Sequence, residues 1–372
     1  MNKETITAVY TIKNESRDIK KFAESIAVGQ TLGAWEELPG KLKSSISQHL
    51  AHVVSIEESE YSSTIKIAFP IINFGDDIGA MLTAIFGKIS LVPKIKLEDI
   101  EFSEDYLKLF KGPRYGIDGI RNILNKPNEP LLMSIFKPCL GITTEMLGEM
   151  FLSQAEAGID LVKDDEILYD KDLDSTLKRL EACLKAKDKA NAKTIYAISL
   201  TGKANEILQR AKKLEENGAN CFLFNYVAYG FPMLQALREE TNIPIMAHPA
   251  FSGSMCHGAY SGLSEHLILG KLPRILGADI ILFPSPYGSL AWEKEITQEI
   301  FNSHTKELPN IKKSFPSPSA GIKASMIPKI IHDFGKDVII NAGTAVWSHT
   351  DGGKAGALEF INSLAEANYI CP

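Results

Sequence analysis

From residue 131 onward the chain repeats one pattern eight times, a short apolar run rich in β-branched residues that is usually followed by a helix-like segment. Such alternation predicts βα units with a parallel sheet. The predicted strands are residues 131–136, 159–165, 194–200, 219–226, 243–248, 278–284, 312–317 and 337–342. Helices are predicted at residues 145–157, 173–186, 204–217 and 326–334. Eight units suit a closed (β/α)8 TIM barrel better than an open doubly wound sheet.

The N-terminal part of the chain has a different pattern. It mixes strand-like runs at residues 6–12 and 63–69 with helix-like runs at residues 16–26 and 78–85. We therefore predict an α/β protein with two domains, a smaller α+β domain of ferredoxin-like type over residues 1–125 and a catalytic barrel over residues 126–372. No Gly-x-Gly-x-x-Gly follows the first predicted barrel strand, which disfavours dinucleotide binding.

Charge and hydropathy exclude several classes of partner. The net charge is −6, so the sequence predicts no electrostatic binding to nucleic acid. No apolar run is long enough to cross a bilayer, and the N-terminus lacks the apolar core of a signal peptide, so we expect no membrane partner and a cytoplasmic protein. The five cysteines are odd in number and have no metal-knuckle spacing, which predicts free thiols.

The most informative polar cluster is Lys-Asp-Asp-Glu at residues 163–166, where the second predicted barrel strand ends. Barrel enzymes place their active sites at this end of the strands. Side chains alternate along a strand, so Lys163 and Asp165 should share one side, and Glu166 can turn toward them. A buried salt bridge is one interpretation. The other is a Mg²⁺ site, because Mg²⁺ prefers oxygen ligands and CO₂ could convert Lys163 to an anionic carbamate.

Other strand ends also carry candidate residues. Lys137 follows the first predicted strand and could hold an anionic substrate oxygen, although it could equally be a surface ammonium. His248 follows the fifth strand, where a substrate contact competes with a structural role. Barrels often bind phosphate after strands 7 and 8. The candidates there are Ser319, Gly321, Gly343 and Thr344.

Taken together, these residues resemble the RuBisCO large-chain superfamily over most of the chain. The segments that carry the resemblance are Gly-Pro-Arg-Tyr-Gly-Ile at 112–117, Ser-Ile-Phe-Lys-Pro at 134–138, the segment at 158–166 and Ser-Ala-Gly-Ile at 319–322. The resemblance implies that Lys163 is the carbamylated lysine and that Asp165 and Glu166 are the other Mg²⁺ ligands. It also implies a phosphorylated small-molecule substrate.

Within that family the chain looks like a RuBisCO-like protein of the methionine-salvage branch, the 2,3-diketo-5-methylthiopentyl-1-phosphate enolases. The loop at 283–289 lacks the lysine that carboxylation uses, and Cys139 stands where carboxylases have a second lysine. The segment Phe-Gly-Lys-Ile-Ser at 86–90 resembles that branch, in which the lysine matching Lys88 is the general base. The family further implies a homodimer whose smaller domain completes the partner's site. Without the resemblance, Lys88 would be an ordinary surface lysine.

The loop after the eighth predicted strand departs from those enolases. Thr344 and Ala345 replace glycines of a Gly-rich run, and Trp347 is bulky. Two alternatives therefore remain beside the enolase. One is a decarboxylase or isomerase that acts on another phosphorylated keto-sugar or keto-acid, and the other is a non-catalytic paralogue that binds a sugar phosphate.

Overall fold

A computed structural model describes residues 5–14 and 18–370 of the chain. The strands are β1 (Thr5–Lys13), β2 (His52–Glu58), β3 (Ser62–Pro70), β4 (Ile95–Glu101), β5 (Leu131–Ile135), β6 (Leu161–Lys163), β7 (Ile195–Ser199), β8 (Phe222–Phe224), β9 (Ile245–Ala247), β10 (Ser261–Leu263), β11 (Ile280–Pro284), β12 (Phe315–Ser319) and β13 (Ile339–Ala342). The α-helices are α1 (Ile19–Gly29), α2 (Gly40–Ile46), α3 (Ile78–Leu82), α4 (Glu104–Leu107), α5 (Gly116–Leu124), α6 (Thr144–Ala157), α7 (Leu173–Lys189), α8 (Ile207–Glu216), α9 (Tyr226–Tyr229), α10 (Phe231–Glu240), α11 (Gly253–Cys256), α12 (Leu272–Ile275), α13 (Lys294–Thr305), α14 (Ile327–Phe334), α15 (Thr344–Trp347) and α16 (Gly353–Ile370).

The chain forms two compact units. The smaller unit contains the described residues up to Phe110 together with residues 251–268, and the larger unit contains the rest. The sequence predicts a boundary between residues 125 and 126, whereas residues 111–125 pack here with the larger unit. The segment 251–268 follows the fifth barrel strand and contributes β10 to the sheet of the smaller unit. Such long-range pairing leaves no local pattern in a three-residue strand.

The smaller unit is a five-stranded sheet in the order β10-β4-β1-β3-β2. Strand β1 pairs antiparallel with both β3 and β4, and β2 pairs antiparallel with β3. The chain order β1-α1-β2-β3-α3-β4, with β1 and β3 in the centre, is the ferredoxin-like arrangement. The predicted α+β class of this part is therefore confirmed.

The larger unit is built on an eight-stranded sheet in the order β12-β11-β9-β8-β7-β6-β5-β13. Neighbouring strands pair in parallel and follow the order of the chain, as a barrel requires. Side chains link the two end strands, because the Ser317 hydroxyl donates to the Ile339 carbonyl at 3.1 Å and Asn341 Nδ2 donates to Ser319 Oγ at 2.8 Å. The predicted (β/α)8 barrel is confirmed.

Helix α5 packs into the apolar core of the barrel through Ile117, Ile120 and Leu124, which are buried with inward residues of the strands. The carboxylate of Asp279 fixes the start of this helix. Its Oδ1 accepts the backbone N–H groups of Tyr115 at 2.6 Å and Gly116 at 2.9 Å, and its Oδ2 accepts that of Ile245 at 3.0 Å. These bonds explain why the segment at 112–117 belongs to the barrel.

A buried histidine in the larger unit predicts that the free energy of unfolding decreases at acidic pH. His304 is fully buried and donates from Nε2 to the Leu269 carbonyl, and burial lowers the pKa of His304 to about 3 from an ordinary value of 6.5. Between these two pH values His304 is protonated in the unfolded chain but stays neutral in the folded protein. Stability should fall as pH drops from 6.5 to about 3, by on the order of a few kcal/mol.

The measurement is urea unfolding across that pH range. The His304→Gln variant should lose less stability on acidification than the wild type, because its side chain does not titrate. The matched control is His52→Gln, at an exposed position, which should follow the wild-type slope. Equal slopes for His304→Gln and the wild type would contradict the assignment.

Candidate active site

A cavity of about 610 Å³ opens at the carboxyl ends of the barrel strands. Eight of the ten candidate site residues from the sequence analysis line this cavity. The fold therefore brings together residues that are far apart in the chain. They are Lys137, Lys163, Glu166, His248, Ser319, Gly321, Gly343 and Thr344. Asp165 is buried beside them at 1% exposure.

Lys163 is the last residue of β6 and is completely buried. Its amine donates to the Asp164 carbonyl at 2.9 Å and lies 3.6 Å from Glu166 Oε2. Burial lowers the pKa of Lys163, and the nearby carboxylates only partly oppose that effect. A depressed pKa favours the neutral amine, which is the form that reacts with CO₂.

Asp164 points away from Lys163 into a separate buried network. Its carboxylate accepts hydrogen bonds from Arg179 Nη1, from the Tyr196 hydroxyl at 2.7 Å and from the Ser199 backbone N–H at 2.7 Å. Arg179 also bonds Asp170 at 2.6 Å. A buried salt bridge is therefore present next to this cluster, but it joins Asp164 to Arg179 and does not involve Lys163.

Asp165 and Lys137 form an ion pair between Asp165 Oδ2 and Lys137 Nζ. Burial tends to lower the pKa of Lys137, but the hydrogen bond and charge of Asp165 outweigh it, and the pKa is raised. Lys137 therefore stays a cation at the cavity. Asp165 Oδ2 is buried, and Lys137 is the cation that it meets in the described part of the chain.

Glu166 and His248 approach each other across the cavity, with 3.3 Å between Glu166 Oε2 and His248 Nε2. His248 Nδ1 accepts the backbone N–H of Ala250 at 3.2 Å. Burial is the largest cause that holds the pKa of His248 well below its ordinary value, so the ring is neutral. Since Nδ1 accepts, the proton lies on Nε2, which faces Glu166 and the cavity.

The donor set fits a hard cation only if Lys163 changes chemically. Within residues 5–14 and 18–370, no three His, Cys, Asp or Glu side chains are grouped as a metal site. A carbamate on Lys163 would add the missing anionic oxygen beside Asp165 and Glu166. The lowered pKa of Lys163 and the buried carboxylate of Asp165 both fit that arrangement with Mg²⁺.

Two loops form the part of the cavity where phosphate is expected. Gly321 has a φ of +71°, and a Cβ there would lie 2.4 Å from the Ser289 backbone nitrogen, so only glycine fits. The Ser319 hydroxyl donates to the Ser317 carbonyl at 3.0 Å and accepts from Asn341 at 2.8 Å. Gly343 follows β13, and Thr344 is the first residue of the short helix α15 and has an exposed side chain.

The contact at Gly321 predicts a difference between two glycines. Gly321→Ala and Gly335→Ala both place a Cβ on left-handed backbone, but the Cβ at Gly335 meets nothing within 4 Å. We expect Gly321→Ala to lose about 1–3 kcal/mol more stability than Gly335→Ala, because only the first forces two loops apart. Urea unfolding of both variants measures this difference. Equal losses would show that the loop after β12 is not held against Ser289.

Three further residues of this region had no role assigned to them from the sequence. Asn341 is 2% exposed and lines the cavity, and its Oδ1 accepts no hydrogen bond among the described residues. Asn225 Nδ2 donates to the Glu166 carbonyl at 3.0 Å and so holds the end of the Lys-Asp-Asp-Glu segment. Lys323 adds a third lysine to the cavity lining. The position of each asparagine at or just after a strand end was the available signal.

Two other residues that the sequence singled out do not line this cavity. Lys88 belongs to the smaller unit, where it follows the single-turn helix Thr83–Gly87 and is exposed. Cys139 is buried, and burial raises its pKa, so its thiol is not poised as a nucleophile. The other described cysteines are also free and buried, while Cys371 lies outside the described residues.

The class of protein is defined by three features, which are the barrel, the smaller unit of the same chain and the lysine–carboxylate cluster. Known proteins that share them identify the family. The family model of the ribulose bisphosphate carboxylase large chain matches this chain with its N-terminal domain at residues 1–106 and its catalytic domain at residues 116–367. The chain therefore belongs to the RuBisCO large-chain family, and the resemblance drawn from the sequence is confirmed.

The individual relatives of this chain include RuBisCO-like proteins as well as a RuBisCO. A 2,3-diketo-5-methylthiopentyl-1-phosphate enolase of Bacillus cereus is 43% identical over 96% of this chain and 91% of its own length. The RuBisCO-like protein MtnW of Alicyclobacillus acidocaldarius has a TM-score of 0.91 at 35% identity, covering 99% of this chain and 95% of that one. A dimeric archaeal RuBisCO of Hyperthermus butylicus has a TM-score of 0.88 at 26% identity, covering 100% and 92%.

No helix in the described part of the chain combines the length and hydrophobicity that a membrane span needs.

Proposed function

We propose that this enzyme enolises 2,3-diketo-5-methylthiopentyl-1-phosphate in methionine salvage and has no carboxylase activity. The observation that carries the proposal is Lys163, a fully buried lysine with a lowered pKa beside Asp165 and Glu166 at the end of a barrel strand. The identity of 43% to enolases of that name over 96% of the chain supports the choice of substrate.

The cofactors in this proposal are Mg²⁺ and CO₂, the latter as a carbamate on Lys163. The carbamate, Asp165 and Glu166 would hold the cation, which would supply Lewis-acid polarisation of a substrate carbonyl. Asn225 anchors the backbone of Glu166, and Asp164 is held in its own network with Arg179. These contacts hold the three proposed metal ligands, Lys163, Asp165 and Glu166, in place before the substrate binds.

The reacting groups follow from charge and protonation. Lys137 remains a cation and would stabilise the developing enolate oxygen. His248, neutral with its proton on Nε2, would donate a hydrogen bond that orients the substrate. Ser319, Gly321, Gly343 and Thr344 would hold the phosphate, while the apolar lining residues Leu282, Leu290 and Ile322 suit a methylthioalkyl tail.

Lys88 is proposed as the general base that removes the proton α to the carbonyl. It lies in the smaller unit, so we propose a homodimer in which this unit completes the partner's site. The dimeric archaeal relative supports such an assembly. A cytoplasmic location is proposed with it. The segment at 283–289 contains no lysine, which supports an enolase over a carboxylase.

The first test follows deuterium entry by NMR in D₂O with Mg²⁺, bicarbonate and the diketone phosphate. We expect exchange at the carbon next to the carbonyl, together with formation of the enol. Absence of exchange while Mg²⁺ still binds would overturn the proposed substrate. A panel of phosphorylated ketoses and keto-acids would then test the decarboxylase or isomerase alternative.

The general-base role predicts the behaviour of Lys88→Ala. Loss of a positioned base should slow exchange by about 10²–10⁴-fold, while Mg²⁺ binding, followed by calorimetry, stays intact. Lys20→Ala, which removes another exposed lysine of the same unit, is the control and should exchange like the wild type. Loss of Mg²⁺ binding in Lys88→Ala would exclude the base assignment.

A further inference from the structure

Trp347 ends the short helix α15 and ties the loop after β13 to the end of β5. Its indole Nε1–H donates to the backbone carbonyl of Ile135, the last residue of β5. Ile135 stands two positions before Lys137 in the chain. One side-chain hydrogen bond therefore connects the loop that carries Gly343 and Thr344 to the end of the strand that precedes Lys137.

Packing fixes the indole in this position. The ring lies against the backbone of Gly353, where an added Cβ would come within 2.4 Å of two indole carbons. Its other neighbour is Phe136, with ring centroids 6.4 Å apart. Glycine at position 353 thus leaves room for the ring, and the tryptophan cannot swing aside without losing both contacts.

The loop held by Trp347 also packs through Val346, which is buried and whose backbone carbonyl lies close to Gly356 of α16. Helix α15 is four residues long and has no side-chain cap, and its internal bonds run from Val346 N–H to the Gly343 carbonyl at 3.0 Å and from Ser348 N–H to the Thr344 carbonyl at 2.8 Å. A helix this short is not stable by itself. Its position must come from tertiary contacts, of which the indole hydrogen bond is a directional one.

Trp347 does not line the cavity, whereas Gly343, Thr344, Ala345 and Ser348 do. The bulk of the indole therefore does not narrow the cavity but supports its wall from behind. We propose that Trp347 is a positioning residue for phosphate recognition, which sets the backbone of this loop in register with Lys137. This inference rests on the proposed phosphate site in the loops after β12 and β13.

The test compares Trp347→Phe with the wild type. Phenylalanine keeps an aromatic ring against Gly353 and Phe136 but lacks the N–H donor. The first readout is the affinity for inorganic phosphate. It is measured by calorimetry and, independently, from the competitive inhibition of deuterium exchange by phosphate. We expect the affinity for phosphate to fall by about three- to tenfold, the effect of losing one buried hydrogen bond. The KM of the phosphorylated substrate should rise by the same factor, with kcat changed less than about twofold.

Trp35→Phe is the matched control, because it makes the same substitution in the smaller unit and should leave phosphate binding unchanged. A Trp347→Phe variant with wild-type phosphate affinity would overturn the inference, as would a fall in kcat without a change in KM. A lowered melting temperature with unchanged phosphate affinity would reduce Trp347 to a packing residue and also overturn it.

Failure of the proposed function is a separate outcome. If the wild type binds inorganic phosphate but does not exchange the diketone phosphate, the substrate is wrong, and the calorimetric comparison of Trp347→Phe with Trp35→Phe still tests the positioning role. If the wild type binds no phosphate, both the phosphate site and the role of Trp347 are wrong.

Discussion

Replacing Lys163 by Met should abolish activation by Mg²⁺ and bicarbonate and reduce turnover by at least about a thousandfold, as expected when several kcal/mol of metal stabilisation are lost. The variant cannot form a carbamate, so one of the three proposed ligands disappears. The protein should nevertheless remain folded. Lys163 is completely buried and burial lowers its pKa, so its charged form is destabilised in the folded protein, and a methionine of similar length removes that cost.

The measurement combines the deuterium-exchange assay with urea unfolding at pH 7. Lys185→Met is the matched control, because Lys185 is an exposed lysine on helix α7 that forms a surface pair with Glu181. It should leave activity and stability unchanged. Retention of bicarbonate-dependent activity in Lys163→Met would exclude Lys163 as the carbamate site, whereas a large loss of stability would mean that its amine is structurally required.

The second large effect is structural and concerns Arg179. Its guanidinium is 3% exposed and bonds Asp164, Asp170 and Tyr196. Arg179→Met leaves two carboxylates without their cation, one of them fully buried. We expect a loss of about 3–5 kcal/mol in the free energy of unfolding, since breaking one partner of a buried pair costs that much. Turnover should also fall, because Asp164 directly follows Lys163. The backbone carbonyl of Asp164 accepts a hydrogen bond from the Lys163 amine, so a shift of Asp164 would displace Lys163.

Urea unfolding measures the loss, with Lys185→Met on the same helix as the control for removing an exposed cation. A double variant in which Asp164 becomes Asn and Arg179 becomes Met separates the two contributions. It should recover part of the lost stability, because the buried charge goes with its partner. A single Arg179→Met variant as stable as the wild type would show that the network is open to water.

Much of the barrel could be predicted because its evidence is local. Short β-rich runs and helical periodicity lie within ten to twenty residues of chain, and the predicted strand at 131–136 corresponds to β5 at Leu131–Ile135. The site residues of the barrel followed from the same argument, since parallel strands of a barrel bring their ends together, whereas Lys88 came only from the family resemblance. The Lys-Asp-Asp-Glu segment was visible for that reason before any contact was known.

The contacts that hold the site together depend on residues distant in sequence. Asp164 and Asp165 are adjacent, yet one meets Arg179 and the other Lys137, and only the packing of α7 and the end of β5 decides this. The same is true of Asn341, whose Nδ2 meets Ser319 across the closing strands.

By itself, the sequence determined the order and type of the elements, the parallel barrel and the family of the enzyme, because these follow from local periodicity and from motifs that are continuous in the chain. Only the tertiary structure decided which residues meet. It placed α5 on Asp279, added β10 to the smaller unit, and set Trp347 behind the cavity wall rather than inside it. The physical reason is that buried polar groups must find partners wherever the fold brings a donor to an acceptor, and that pairing has no period in the sequence.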